Sequence, residues 1–101
     1  MKNQIRLIRK EIDDVDNQLM ELIKQRMNLV REIGRIKARY RLPIKDPERE
    51  EELIARDRAL AENKNISADL IEDIFRRLFQ ESYIEELNPD IDNLTSNMFF
   101  P

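Results

Sequence analysis

The stretch from Lys2 to Tyr40 has no proline, a single glycine and apolar side chains on a seven-residue repeat, so we expect one uninterrupted helix. The two apolar positions of the repeat form a stripe, here called the seam, made of Ile5, Ile8, Ile12, Val15, Leu19, Leu22, Leu29, Ile33, Ile36 and Tyr40. Such a helix is about 58 Å long, about twice the diameter of a compact domain of this size. A single chain of 101 residues cannot cover the seam, and the simplest prediction is a twofold dimer in which two long helices lie along each other.

Arg26 interrupts the seam at a position where the repeat calls for an aliphatic side chain. Burial of an unpaired guanidinium is costly, so Arg26 sets the helix register, or packs its stem and keeps its head in water, or binds an anion. Lys37 favours the third explanation. It lies eleven residues further on. On a helix this is roughly 20° around the axis and about 16 Å along it, so both cations can converge on one small anion.

Arg9 lies seventeen residues before Arg26 on the same predicted helix. The spacing corresponds to about 25 Å along the axis and roughly 100° around it, so Arg9 cannot share a small pocket with Arg26 and Lys37 of its own chain. If all three serve one site, Arg9 comes from the partner subunit of an antiparallel dimer. Gly34 costs about 1 kcal/mol relative to alanine inside a helix. It either lets another helix or a ligand approach closely or is a tolerated defect.

The composition narrows the chemistry that the chain can perform. Charged residues make up 39% of it, but 18 basic residues stand against 21 acidic ones, which argues against nucleic-acid binding through excess positive charge. The absence of cysteine and histidine excludes disulfides, thiol chemistry, imidazole catalysis and the usual zinc ligands. The N-terminus has no apolar signal-peptide core and no run approaches the length of a membrane span, so we expect a cytoplasmic protein.

Two shorter helices are expected after the long one. Pro43 cannot continue the first helix, and Asp46-Pro47 is a typical helix start, with a capping carboxylate followed by a proline at the first helical position. The second helix is therefore predicted at about 47–63. Ser67 is a good cap for a third helix at about 68–87, which stops before an Asn-Pro pair.

The predicted fold class is all-α, with three helices per chain, one very long and N-terminal and two shorter. Residues 1–87 form the predicted helical domain, and 88–101 form a C-terminal tail in which the helical pattern lapses. The tail is a disordered segment, a clasp on the dimer or a connection towards another domain, and the residues alone leave these alternatives open.

The shorter helices add further candidate site residues. Arg49 lies in the first turn of the second helix, where the helix dipole does not favour a cation, so it either pairs with neighbouring glutamates on the surface or belongs to a site. On the third helix, four residues share one face: Phe75, Phe79, Ser82 and Glu86. They form either an ordinary core stripe that becomes solvated near the helix end, or the border of the pocket that holds the cations of the first helix.

Four ordered motifs resemble the all-helical class of chorismate mutase. They are Ile8-Arg9-Lys10-Glu11-Ile12-Asp13 with Asp16, Leu22-Ile23 up to Arg26, Ile33-Gly34-Arg35-Ile36-Lys37, and Pro43-Ile44-Lys45-Asp46-Pro47-Glu48-Arg49-Glu50. The similarity covers about residues 5–87. A single cation would mean little, but this ordered set with its Pro-x-x-Asp-x-x-Arg-Glu junction is hard to obtain from a generic coiled coil.

The resemblance implies an intertwined helical homodimer with two equivalent sites, each of which borrows Arg9 from the other subunit. It also implies these roles: carboxylate binding by Arg26 and Arg49, donation to the ether oxygen of the breaking bond by Lys37, positioning of the ring hydroxyl by Asp46 and Glu50, and a place near a carboxylate for Ser82. The implied reaction converts the dianion chorismate to prephenate on the route to phenylalanine and tyrosine. This rearrangement is intramolecular and pericyclic, so it needs no metal and no cofactor.

Glu86 departs from the commonest family pattern, because many members have a glutamine there that donates a second hydrogen bond to the ether oxygen. An ionised Glu86 has no proton to donate and repels a dianion, whereas a protonated Glu86 can do the work of glutamine. We therefore expect activity that falls as the pH rises through neutrality, and we expect Glu86→Gln to flatten this dependence.

Three alternatives stay open from the sequence. The same scaffold occurs in a lyase that removes pyruvate from isochorismate. In a non-catalytic helical dimerisation module, the cations would only be solvated or paired. A mutase module regulated by a partner enzyme of the same pathway would use the exposed tail as its contact.

Overall fold

The computed structural model describes residues 1–89, which form three α-helices: α1 (Lys2–Tyr40), α2 (Pro47–Asn63) and α3 (Ala68–Leu87). These bounds confirm the three helices predicted from the sequence, and the described residues contain no strand. The prediction of an all-α fold is therefore confirmed. The division into a domain at 1–87 and a tail at 88–101 stays a prediction, since 90–101 lie outside the described residues.

Local signals begin α2 and α3. The Asp46 side chain accepts a hydrogen bond from the Arg49 backbone N–H at 3.1 Å, and Pro47 occupies the first helical position. The Ser67 hydroxyl accepts from the Leu70 backbone N–H at 3.2 Å. Each cap satisfies a backbone donor that the first turn of a helix leaves without an intrahelical partner.

The end of α1 is a left-handed turn at Arg41, where φ is 55°. The turn lets the Leu42 N–H donate to the Lys37 carbonyl at 2.8 Å, which satisfies one of the last free carbonyls of the helix. Pro43 then prevents further helix. The chain turns back here, so the start of α2 and the C-terminal half of α1 line the same cavity.

The helix α3 packs against both other helices, with the C-terminal half of α1 on one side and α2 on the other. The buried apolar side chains come from all three helices and are Val30, Ile54, Ala61 and Phe79. The core is therefore a thin layer along α3. The N-terminal half of α1 extends beyond this layer, and every residue from Met1 to Leu22 is exposed.

The helices α1 and α3 approach each other closely at Gly34. A Cβ atom added there would lie 2.6 Å from the carbonyl oxygen of Glu86 and 2.7 Å from its Cα. Real Cβ atoms essentially never come that close to backbone, so only glycine fits at this position. The expectation that Gly34 admits another helix is confirmed.

The helix α1 has two apolar faces rather than one. The seam stays open, with each of its apolar residues between 45% (Ile5) and 64% (Tyr40) exposed. The face that packs on α3 is a second stripe, made of Ile23, Arg26, Met27, Val30, Gly34 and Lys37. The sequence pattern did not identify this stripe because two cations and a glycine interrupt its hydrophobicity. Arg26 lies on the border of the two faces and turns towards α3, where it contacts Ser82.

None of the helices in the described range combines the length and the hydrophobicity needed to cross a lipid bilayer.

Candidate active site

A cavity of about 400 Å³ lies where the three helices meet. Its lining has three cations, three carboxylates, two hydroxyls and four apolar side chains: Arg26, Lys37, Arg49, Asp46, Glu50, Glu86, Ser82, Tyr83, Val30, Ile33, Leu53 and Phe79. A cavity of this volume is within the usual range for a small-molecule site. The formal charges that one chain contributes cancel.

The structure brings together seven of the eight candidate residues named from the sequence, and Arg9 is the exception. Arg9 is exposed on the N-terminal half of α1, and it does not line the cavity of its own chain. This placement agrees with the helix geometry, which separated Arg9 from the other cations of the same chain. The roles assigned to all eight stay predictions at this point.

Arg26 is held from two directions by α3. Its Nη1 donates to the Ser82 hydroxyl at 2.7 Å, and that hydroxyl donates to the Leu78 carbonyl, also at 2.7 Å. Its guanidinium carbon lies 5.8 Å from the centroid of the Phe79 ring, within the range of a cation–π contact. A guanidinium has five N–H donors, so several remain for an anion in the cavity.

Two opposing influences act on the pKa of Arg26. Burial lowers the pKa of Arg26, and the attraction of Asp57 raises it. Asp57 is buried on α2 outside the cavity lining; its Oδ1 pairs with Arg56 at 3.0 Å, while its Oδ2 has no hydrogen-bond partner among the described residues. The sequence analysis missed Asp57, since a charged residue on a highly charged helix is normally solvated.

Lys37 and Glu86 form a pair between α1 and α3. The Lys37 Nζ donates to Glu86 Oε1 at 2.9 Å and to the Ile44 carbonyl at 2.7 Å. An ammonium has three N–H donors, so one remains for a ligand. The Glu86 Oε2 is buried and has no hydrogen-bond partner in the described part of the chain. Buried polar atoms are normally satisfied, which makes this oxygen a position where a proton or a ligand donor is expected.

The first turn of α2 forms the opposite wall of the cavity. Arg49 has a side chain that is 58% exposed, and its nearest carboxylate, Glu52, is 3.7 Å away. This exposed contact leaves the Arg49 guanidinium largely available. The structure therefore contains both features weighed from the sequence, a weak surface pairing with a glutamate and a place in the cavity lining.

Tyr83 is a cavity residue that the sequence analysis missed. Its hydroxyl donates to Glu50 Oε2 at 2.9 Å and accepts from the Asp46 backbone N–H at 3.2 Å. Burial raises the pKa of Tyr83, and so do its hydrogen bond to Glu50 and the charges of Glu50 and Glu86, while the Asp46 N–H opposes the rise. A signal was present, because Tyr83 immediately follows Ser82 and precedes Glu86 by three residues. The four residues Phe75, Phe79, Ser82 and Glu86 mark only one edge of that face.

Residues 1–89 contain no group of three or more histidine, cysteine or acidic side chains placed to hold a metal ion. The cavity instead presents guanidinium, ammonium and hydroxyl donors from three helices. Such donors suit an anion with oxygen acceptors, because arginine matches the two oxygens of a carboxylate and lysine matches a single oxygen.

Comparisons with known proteins give a consistent result. Residues 8–87 match the family model described as chorismate mutase type II. The T-protein of Enterobacter agglomerans is 44% identical over 86 residues, which are 85% of this chain and 23% of the T-protein. The T-protein of Haemophilus influenzae is 46% identical over 79 residues, which are 78% of this chain and 21% of that protein.

A shorter relative is the chorismate mutase of Methanocaldococcus jannaschii. It is 36% identical over 85 residues, which cover 78% of this chain and 86% of that protein. The chain thus spans nearly the whole of this relative but only about a fifth of the length of the two T-proteins, 23% and 21%.

Proposed function

The chain belongs to the chorismate mutase type II family, and on that premise we propose that it is an isomerase that rearranges chorismate to prephenate. The observation that carries the proposal is the cavity, in which Arg26, Lys37 and Arg49 converge from two helices inside the region that matches the family. The substrate is a dianion whose ether C–O bond breaks as a C–C bond forms within the same molecule. The cavity has the donors that such a molecule needs.

Catalysis in this proposal consists of positioning and charge stabilisation. Arg26 and Arg49 bind the carboxylates and hold the substrate in its compact reactive conformation. The Ser82 hydroxyl orients Arg26 through the 2.7 Å hydrogen bond. Lys37 uses its remaining N–H to stabilise the negative charge that develops on the ether oxygen.

The proposal also includes a homodimer in which each site takes Arg9 from the partner subunit. Three observations support it. The seam is open along α1, Arg9 does not line its own cavity, and the charges from one chain cancel there. A dianion is bound more strongly by a site with excess positive charge, and one added arginine provides it. Two α1 helices that lie antiparallel along the seam would cover it and carry each Arg9 towards the other site.

The activity is tested by incubating the purified chain with chorismate and, separately, with isochorismate. We expect loss of chorismate and appearance of prephenate, with no pyruvate or salicylate from isochorismate. Arg26→Ala is expected to lower kcat/KM by about 100-fold or more, the usual loss when a charge-stabilising donor is removed. The control is Arg77→Ala, because Arg77 forms an exposed pair with Glu81 on the outside of α3.

Each alternative predicts a different result in the same assay. Pyruvate and salicylate from isochorismate would establish the lyase instead. A dimerisation module would show no turnover of either substrate, and Arg26→Ala would leave its stability unchanged or improved. Circular dichroism of each variant separates lost activity from lost folding.

The origin of Arg9 is tested by mixing two inactive variants, Arg9→Ala and Arg26→Ala, under conditions that exchange subunits. If Arg9 acts across the interface, a mixed dimer has one intact site and one site with both substitutions. Random exchange then restores about a quarter of the wild-type activity. If Arg9 acts within its own chain, no mixed dimer has an intact site and activity does not return.

A partner enzyme of the same pathway, and a place in phenylalanine and tyrosine biosynthesis, are part of the same proposal. The support is that the two T-proteins continue far beyond the region that they share with this chain. Truncation after Leu87 tests whether 88–101 contribute to such an association. Unchanged folding and turnover, with lost binding to the pathway enzyme that consumes prephenate, is the expected result.

A further inference from the structure

Tyr83 forms a bridge between α3 and the first turn of α2, which is the turn that carries Asp46, Arg49 and Glu50. The phenol oxygen accepts from the Asp46 backbone N–H at 3.2 Å and donates to Glu50 Oε2 at 2.9 Å. The single hydroxyl thus contacts both the backbone and a side chain of the cavity wall. Neither the sequence analysis nor the proposed mechanism gives Tyr83 a role.

The backbone contact replaces a cap that α2 cannot make for itself. In a capping box, the third helical residue is a glutamate or glutamine whose side chain accepts the N–H of the capping residue. The third residue of α2 is Arg49, counted from Pro47, and a guanidinium has donors only. The Tyr83 oxygen accepts the Asp46 N–H in its place. The orientation of the α2 start relative to α3 therefore depends on a residue of α3.

The side-chain contact limits the rotation of the Glu50 carboxylate. A phenol has one proton, and here it is donated to Oε2. The structure gives the Glu50 side chain no other hydrogen bond among the described residues, so Oε1 remains able to accept from a ligand in the cavity. The family resemblance implies that Glu50 is one of the two residues that position the ring hydroxyl of the substrate.

We infer that Tyr83 is a positioning residue for recognition of the substrate's ring hydroxyl, acting through the carboxylate of Glu50. The inference rests on the proposed function. Tyr83 itself need not touch the reacting atoms. Its phenol remains a donor throughout the ordinary pH range, because burial and the nearby carboxylates raise the pKa of Tyr83.

The test is the kinetics of Tyr83→Phe in the full chain, with chorismate and with an analogue that lacks only the ring hydroxyl. An unrestrained carboxylate must be ordered during binding, which lowers kcat/KM for chorismate by about 3- to 10-fold. The analogue makes no contact with Glu50, so its kcat/KM is expected to be the same for the wild type and Tyr83→Phe. The control is Arg77→Ala on the same helix, since Arg77 forms an exposed pair with Glu81 and does not line the cavity.

A double-mutant cycle supplies the second measurement. If Tyr83 acts through Glu50, then Tyr83→Phe added to Glu50→Ala causes no further loss of kcat/KM for chorismate. Thermal unfolding of every variant reports whether it is folded. A small decrease in Tm is expected for Tyr83→Phe, because Asp46 is exposed and water can accept its N–H.

Two results would overturn the inference while the proposed function stands. One is an equal loss of kcat/KM for chorismate and for the analogue, and the other is additivity with Glu50→Ala. Either would show that Tyr83 only braces α2 against α3. A wild-type chain that rearranges neither compound overturns the proposed function, and the inference with it.

Discussion

Lys37 and Glu86 illustrate how much depends on single atoms in this site. Their side chains meet at 2.9 Å, and one carboxylate oxygen remains buried without a partner among the described residues. An ionised Glu86 offsets the charge of Lys37 and repels a dianion. A protonated Glu86 offers a second donor beside the ammonium.

We predict that the wild-type rate falls as the pH rises through neutrality and that Glu86→Gln flattens the profile. The amide donates through its NH2 group and does not ionise between acidic and mildly alkaline pH, which is the physical reason for the difference. Initial rates of chorismate loss between acidic and mildly alkaline pH measure it. Glu85→Gln is the matched control, because Glu85 pairs with Arg31 at 2.7 Å outside the cavity lining. A flat wild-type profile would contradict the proposed role of Glu86.

At the scale of elements, the contact between α1 and α3 decides the geometry of the site. The two backbones touch at Gly34, and the salt bridge between Lys37 and Glu86 lies beside that contact. Glycine is unfavourable in a helix by about 1 kcal/mol relative to alanine, so the contact outweighs the local preference. The close approach of α1 and α3 thus depends on glycine having no side chain at position 34.

Gly34→Ala is expected to lower both the free energy of unfolding and kcat. The added methyl would lie 2.6 Å from backbone, so α3 must move and take Glu86 with it. Overpacking of this kind costs about 1–3 kcal/mol, against a gain of about 1 kcal/mol in helix propensity. Chemical denaturation and turnover measure the two effects. A more stable and fully active variant would contradict the close contact.

The control for this variant is Ala38→Gly, one turn further along α1 on an exposed face. It changes helix propensity by about the same amount, about 1 kcal/mol, in the opposite direction. No contact with α3 is altered, so a small loss of stability with unchanged kcat is expected.

At the scale of the whole molecule, one chain is too extended to be a complete globule. Its radius of gyration is 17.9 Å, against about 13 Å for a compact domain of similar length. The length of α1 explains the difference, because no other helix of residues 1–89 lies beside its N-terminal half. We propose that a second copy of the chain covers the seam.

Leu19→Glu is predicted to abolish association and, with it, activity. Leu19 lies on the seam and is 54% exposed in one chain; in a dimer it would be buried, and an unpaired carboxylate there is costly. Asn17→Glu, on the opposite face of the same helix, is the matched control and should remain associated. Sedimentation equilibrium distinguishes the two states. A Leu19→Glu chain that sediments like the wild type would rule out association through the seam.

The three helices and their ends are predictable from local signals, because Pro43, Asp46 and Ser67 act on their own backbone within a few residues. Helix geometry also predicts that Arg26 and Lys37 lie on one face of α1, since it relates residues eleven apart without knowledge of the fold. Arg9 was separated from them by the same geometry. Dimer formation and cytoplasmic location stay predictions.

The face of α1 that packs on α3 and the side chains that complete the cavity wall are known only from the packing of the helices. No pattern in the sequence marks the buried Asp57 or the free oxygen of Glu86, and the spacing that places Tyr83 beside the site does not reveal its two hydrogen bonds. Their roles arise from contacts between residues far apart in the chain, where a shift of about 1 Å separates a hydrogen bond from none. Local interactions determine the helices, whereas the site depends on how α3 packs against α1 and α2.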